Sequence, residues 1–118
     1  MKVGSVVLAK IQQADGRTKL RPVVVLRKMP PYSDVLVCAI SSKLHHEVKD
    51  FEDVIDINAD DFKSSGLKVS SLIRLGVVVT IPHSAIAGKM GLISEERLFR
   101  LRERLSKHIK TESGRERY

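Results

Sequence analysis

The chain has 118 residues, enough for one domain with a modest core. Its 42% hydrophobic and 30% charged residues are typical of a soluble globular protein, and its single Cys excludes an internal disulfide framework. The formal charge of +7 favours a polyanionic partner such as nucleic acid, whereas 4% aromatic residues and no Trp argue against a domain that binds bases by stacking.

The first half of the chain predicts three β-strands. Residues 3–11 are apolar on both faces near their centre, and a tight Asp-Gly turn separates them from a second strand at residues 18–26. Within the second strand the sequence RPVVVL predicts burial on both faces, with Pro22 at the strand entrance because it has no N–H to donate. Residues 27–33 are basic and proline-rich and predict a loop, before a third strand at residues 34–42.

The middle of the chain is more polar. Residues 43–50 predict a loop, and the alternation at residues 53–57 predicts a half-exposed strand. Asn58 is expected to cap a single helical turn, and the pair Asp60 and Asp61 is best explained as part of that cap.

The last part predicts two more strand segments and one helix. Residues 69–81 form one long strand or a bent pair with a bulge at Gly76, and residues 86–93 form a short final strand. Ser94 is expected to cap the helix, since acidic residues follow it in the first turn. The apolar stripe of this helix comprises Leu98, Leu101, Leu105 and Ile109.

These elements predict a single, mainly β domain at residues 1–110, a small antiparallel barrel with a C-terminal α-helix. Residues 111–118 show no apolar periodicity and predict a disordered tail. No segment approaches the roughly 20 apolar residues of a membrane span, and the N-terminal apolar run is too short for a signal peptide. We therefore expect a cytoplasmic protein that does not associate with membranes.

Arg21 is the first candidate for a functional residue. Pro22 biases it towards an extended backbone at the mouth of a rigid strand, where its guanidinium could bind a phosphate. The alternative is a salt bridge at the barrel rim.

Other candidates are hydroxyl and imidazole groups. The Ser41-Ser42 pair ends the third strand, and the Ser70-Ser71 pair begins the long strand. These hydroxyls could donate to phosphate or could bond to local backbone. The loop residues His45 and His46 include a possible general base, although exposed loop histidines are often inert. No spacing indicates a metal site, and Cys38 is expected to be a buried small hydrophobe.

In combination these stretches resemble the MazF/PemK toxin family of bacterial type II toxin–antitoxin systems. The resemblance runs from Gly4 to about Leu105, and its order and spacing are more specific than any one motif. It is carried by residues 4–7 (GSVV), 21–26 (RPVVVL), 37–42 (VCAISS), 66–73 (GLKVSSLI), 79–81 (VTI) and 91–93 (GLI), followed by the helix.

The resemblance implies an SH3-like barrel that dimerises. It also implies an endoribonuclease that cleaves single-stranded mRNA without a metal or cofactor, by attack of the substrate's own 2′-OH. Arg21 matches the family's catalytic arginine, and Ser41 matches a position that usually holds threonine. Single-stranded RNA and the acidic tail of an antitoxin would occupy the same groove, which fits the positive charge. An antitoxin partner also makes DNA binding by the pair possible.

The sequence departs from the family pattern at two positions. Val79 and Pro82 stand where many members carry an arginine and an acid, and the first hairpin lacks the histidine that some members use. The candidates to substitute for these groups are Arg17, Lys19, His45 and Arg74. Ser42 and Ser71 complete the expected substrate-binding set. The departures leave an alternative open, a non-catalytic homologue that binds RNA, an antitoxin, or a protein target such as DNA gyrase, as CcdB-like toxins do.

Overall fold

A computed structural model describes residues 1–111 of the chain. It contains six strands: β1 (Ser5–Gln12), β2 (Thr18–Met29), β3 (Asp34–Ser41), β4 (Asp53–Ile55), β5 (Ser71–Ile81) and β6 (Ile86–Leu92). Two α-helices, α1 (Phe62–Ser65) and α2 (Glu95–Thr111), and two 3₁₀ turns, Leu44–His46 and His83–Ala85, complete it. The predicted tail at residues 111–118 lies, apart from Thr111, outside the described residues. Within residues 1–111, no helix is long and apolar enough to cross a membrane.

The six strands form one antiparallel sheet in the order β4-β5-β3-β2-β1-β6. The predicted mainly β fold with a C-terminal helix is confirmed, but the barrel is open because no ladder among residues 1–111 joins β4 to β6. Helix α1 packs against β6 instead, and the Ser64 hydroxyl donates to the Leu92 carbonyl at 2.9 Å. Glycines allow this contact, since a Cβ on Gly66 would collide with the Met90 backbone and one on Gly91 with the Ser64 carbonyl.

The four residues of β2 from Val23 to Leu26 are buried on both faces of the sheet, as their sequence predicted. Val24 and Leu26 belong to the apolar cluster that α2 covers, whereas Val23 and Val25 belong to a second cluster on the opposite face of the sheet. The prediction of a loop at residues 27–33 is wrong for residues 27–29, which belong to strand β2. Strand β2 continues to Met29 beyond an irregularity at Leu26, because Arg27 and the two residues after it pair with the start of β3.

Strand β5 carries the predicted bulge. Cys38 on β3 pairs with Val78 on β5, but the next residue of β3, Ala39, pairs with Arg74. The three residues of β5 between these pairs, centred on Gly76, therefore have no partner on β3. Cys38 is fully buried, and desolvation raises the pKa of its thiol to about 12, which leaves it an inert core residue.

Helix α2 begins as predicted, because the Arg97 N–H donates to the Ser94 hydroxyl at 3.1 Å. Leu98 and Leu101 are buried and Leu105 packs beside them, but Ile109 is 69% exposed, so the predicted stripe is wrong at its end.

The predicted cap at Asn58 is also wrong. The N-cap position of α1 is Asp61, whose carboxylate makes no capping bond and instead accepts two hydrogen bonds from Arg97, at 2.8 and 3.0 Å. Arg97 also donates to Asp53 at 2.7 Å, and Asp61 accepts from the Ser94 N–H at 3.0 Å. This cluster fastens α2 to α1 and β4.

Candidate active site

An open pocket of about 570 Å³ lies between the first half of β2, the end of β3 and the strand β5. Both predicted catalytic residues, Arg21 and Ser41, line it, and so do Ser42, Ser71 and Arg74 of the predicted substrate-binding set. Two lysines, Lys43 and Lys68, add to the cationic lining, and no Asp or Glu of the described residues lines the pocket. The pocket therefore suits an anion.

The pairing of the strands explains why Arg21 and Ser41 meet. The ladder between β2 and β3 ends at Val23 opposite Ala39, and its antiparallel register, continued by two residues, brings Arg21 level with Ser41. Side chains two residues apart share a face, so both project from the face that carries Val23 and Ala39. Sequence order alone could not supply this register, because the irregularity at Leu26 shifts the ladder.

The Arg21 guanidinium is exposed and has no salt bridge with any carboxylate of residues 1–111, so the rim ion-pair interpretation is wrong. Its one side-chain hydrogen bond is donated from Nη2 to the Gln13 Oε1 at 3.2 Å. The Gln13 amide is itself fixed, since its Nε2 donates to the Ile11 carbonyl at 3.2 Å. One edge of the guanidinium is thus held by a neutral acceptor, and the remaining donors are available to an anion.

The serines differ in what their hydroxyls can do. The Ser41 Oγ accepts a hydrogen bond from the Lys43 N–H at 3.0 Å, so its own proton is still available to a phosphate oxygen. The Ser71 Oγ donates to the Val69 carbonyl at 2.8 Å and is 3% exposed, so its proton is already used. Ser42 is exposed at the pocket edge.

Three predicted substrate-binding residues lie outside the pocket lining. Arg17 is at the first hairpin turn beside Asp15, Lys19 pairs with Ile11 in the ladder, and His45 lies in the 3₁₀ turn. Their roles stay predictions. The neighbouring His46 has its pKa lowered by desolvation and by the positive charges of His45, Arg74 and Lys43, which favours a neutral imidazole.

Of the two departures, Val79 lines the pocket and makes part of its wall apolar, whereas Pro82 lies beyond the strand, before the 3₁₀ turn His83–Ala85. Among the described residues no group of three or more His, Cys, Asp or Glu side chains could hold a metal ion.

Sequence reasoning missed Gln13, Lys43, Lys68 and Glu52. Lys43 directly follows the Ser41-Ser42 pair, and that adjacency was an available signal. Gln13 and Glu52 carried none, because Gln13 contacts Arg21 across the first hairpin turn, and the buried Glu52 contacts the pocket residue Arg74, which lies 22 residues away in the chain.

The open antiparallel sheet and its C-terminal helix define a small protein of the SH3-like barrel class. A family model described as "PemK-like, MazF-like toxin of type II toxin-antitoxin system" matches residues 2–109. The chain therefore belongs to this toxin family, and the resemblance found in its sequence is confirmed.

Comparison with solved structures agrees on the fold. The Mycobacterium tuberculosis toxin MazF-mt6 superposes with a TM-score of 0.68, covering 92% of this chain and 98% of that chain, at 19% sequence identity. At this identity the similarity shows the fold alone. A search of curated protein sequences finds no match.

Proposed function

We propose that this toxin is an endoribonuclease that cleaves single-stranded mRNA in the cytoplasm. The observation that carries the proposal is the Arg21 guanidinium, which forms no ion pair with a carboxylate of residues 1–111 and shares its pocket with the Ser41 hydroxyl and three other cationic side chains. A phosphodiester is negatively charged and so complements the positive side chains of the pocket. The planar guanidinium of an arginine can donate two hydrogen bonds to two oxygens of one phosphate.

The proposed reaction is an internal transfer at phosphorus. The 2′-oxygen of the substrate forms a bond to the adjacent phosphorus, the bond from phosphorus to the 5′-oxygen breaks, and the products are a 2′,3′-cyclic phosphate and a 5′-hydroxyl. The proton lost by the 2′-hydroxyl and the one gained by the 5′-oxygen exchange with solvent, which reaches the open pocket. Arg21 stabilises the negative charge that accumulates on the phosphate oxygens, and Ser41 donates to one of them.

The partners follow from the same surface. Val77, Val78 and Val79 on β5 are between 39 and 44% exposed, and two of them also line the pocket. We propose that this apolar strand segment contributes to a homodimer with two-fold symmetry, the commonest form of oligomer. The cationic pocket would then accept either RNA or the acidic tail of a cognate antitoxin.

Arg21→Ala tests the proposal on single-stranded RNA in EDTA. Loss of one preorganised charge-stabilising donor should lower the cleavage rate about 100- to 1,000-fold. Ser41→Ala should lower it less, because the hydroxyl is neutral. Arg27→Ala is the matched control, since it removes the same charge from an exposed position of β2 outside the pocket.

The free energy of unfolding of Arg21→Ala should change by no more than about 1 kcal/mol, as for an exposed residue. Full cleavage by Arg21→Ala would move the active site elsewhere.

A second candidate function rests on Val79, which puts an apolar group in the pocket wall where relatives carry charge. If the unmutated protein never cleaves RNA, the protein is better described as a binding module for RNA, an antitoxin or a protein such as DNA gyrase. Binding of purified gyrase, measured by calorimetry, would then decide among these targets.

A further inference from the structure

We propose that Glu52 is a positioning residue. It holds the Arg74 guanidinium so that its terminal nitrogens bind a second phosphate of the RNA, next to the phosphate at Arg21. This inference rests on the proposed function and adds to it a substrate requirement, namely single strands with at least two successive phosphates in the pocket.

Glu52 is a carboxylate inside the barrel, 1% exposed. Its Oε1 accepts a hydrogen bond from the Val48 N–H at 3.2 Å, and its Oε2 accepts one from the Gly76 N–H at 3.0 Å. The Nε of Arg74 lies 3.6 Å from the same Oε2. A charge so deeply buried is costly unless hydrogen bonds and an opposite charge compensate it, and this carboxylate has both.

The contact with Glu52 involves only one side of Arg74. The Arg74 Nε is buried without a hydrogen-bond partner and faces Glu52 as an ion pair. The side chain as a whole is 30% exposed and lines the pocket. No hydrogen bond within residues 1–111 uses its terminal nitrogens, so these donors are available to an anion in the pocket.

The bulge in β5 is what aligns the two residues. Arg74 pairs with Ala39 on β3, and the three extra residues of the bulge come directly after Arg74 in the chain. Glu52 bonds to the backbone of Gly76 in the middle of these residues, and a Cβ there would lie 3.4 Å from its Oε2. Bulges commonly redirect a neighbouring side chain, and here the buried carboxylate fixes both the bulge and the arginine beside it.

The spacing of the two arginines suits successive phosphates. Arg21 lies on β2 and Arg74 on β5, with β3 between them, and the two are offset by two residues along the strands, so their backbones are about 12 Å apart. The pocket surface between them carries the Ser41 hydroxyl and no carboxylate of the described residues. A single strand crossing β3 would therefore place one phosphate at Arg21 and Ser41 and the next at Arg74.

A double-mutant cycle tests the proposal with a 2′-O-methyl RNA oligonucleotide, which binds but has no free 2′-OH to react. Binding of Glu52→Gln, Arg74→Ala and the double variant is measured by fluorescence anisotropy. Arg74→Ala should bind about tenfold more weakly, as expected for loss of a charged hydrogen bond, and its salt slope should fall by about 0.7. Glu52→Gln should bind several-fold more weakly, and the double variant should bind no more weakly than Arg74→Ala.

Bulk electrostatics predicts the opposite result for Glu52→Gln, because removing a negative charge should tighten RNA binding. Glu103→Gln is the control for that effect, since it makes the same charge change on the exposed face of α2. The proposal is overturned if Glu52→Gln tightens binding as the control does. It is also overturned if Glu52→Gln still weakens binding when Arg74 is already Ala.

If Glu52→Gln does not fold, Arg74→Lys decides. Lysine keeps the charge on a single nitrogen, which Glu52 would attract, so binding should fall as in Arg74→Ala; unchanged affinity would overturn the proposal. Cleavage of unmodified RNA by the unmutated protein is measured separately. If the unmutated protein binds and cleaves RNA but the effects of Glu52→Gln and Arg74→Ala on binding are additive, only this inference is contradicted. If the unmutated protein does not bind RNA, the proposed function is contradicted as well.

Discussion

The ion cluster that fastens helix α2 to the barrel should be a large contributor to stability. Asp61 and Arg97 have side chains 6 and 9% exposed, and they form a bidentate pair with N–O distances of 2.8 and 3.0 Å. Arg97→Met leaves Asp61 buried with the Ser94 N–H as its remaining side-chain partner. Breaking one side of such a pair costs about 3 to 5 kcal/mol of unfolding free energy. Asp61→Asn should cost about 3 kcal/mol of unfolding free energy, the lower end of this range, because Arg97 keeps its ion pair with Asp53.

Urea unfolding followed by circular dichroism at pH 7 measures these values. The double variant should cost about 2 kcal/mol less than the sum of the two single variants, because both remove the same interaction. Asp15→Asn and Arg17→Met are the matched controls. They alter an exposed pair 3.9 Å apart and should change stability by less than about 1 kcal/mol. Single variants that each cost under about 1 kcal/mol, or strictly additive effects, would refute the assignment.

The same pair predicts how stability depends on pH. Burial alone would raise the pKa of Asp61, but hydrogen bonds from Arg97 and the Ser94 N–H, together with the charge of Arg97, bring it below its usual value. A carboxyl whose folded pKa is depressed stabilises fully above its unfolded pKa of about 3.9, and the contribution is lost as pH falls through the folded pKa. Asp61→Asn should therefore flatten the dependence of unfolding free energy on pH below about pH 4.

Three further outcomes are expected. Gly66→Ala should cost at least about 2 kcal/mol of unfolding free energy in urea, because it combines a positive φ of 77° with a clash against the Met90 backbone. Gly16→Ala has a φ of 85° but open space around the new Cβ, so it should cost only the conformational part, and equal losses for the two variants would contradict this account. Light scattering at micromolar concentration should give about twice the chain mass of 13.2 kDa, and Val78→Lys should shift it towards the monomer; a monomeric unmutated protein would exclude the dimer. Affinity for single-stranded RNA should fall steeply between low and physiological salt as counterions are released, and a flat dependence would mean that the partner is not a polyanion.

The sequence determined the elements whose signals are local. Apolar runs placed the strands, Ser94 placed the start of α2, and Gly76 marked the bulge, because strand periodicity, helix capping and glycine conformations depend on residues close together in the chain. The order of the stretches identified the family, and that order led to Arg21 and Ser41 before any register was known.

The tertiary structure alone decided which side chains meet. Asp61 looks like a helix cap in sequence, yet its partner Arg97 lies 36 residues away, and the partner of Glu52, Gly76, lies 24 residues away. Neither pairing leaves a periodic trace, because each depends on how strands and helices pack after the sheet has bent. The same limit applied to Arg27, whose place in β2 came from pairing with β3 and not from its own composition. Contacts between distant residues exist only once the chain is compact, so local propensity carries no information about them.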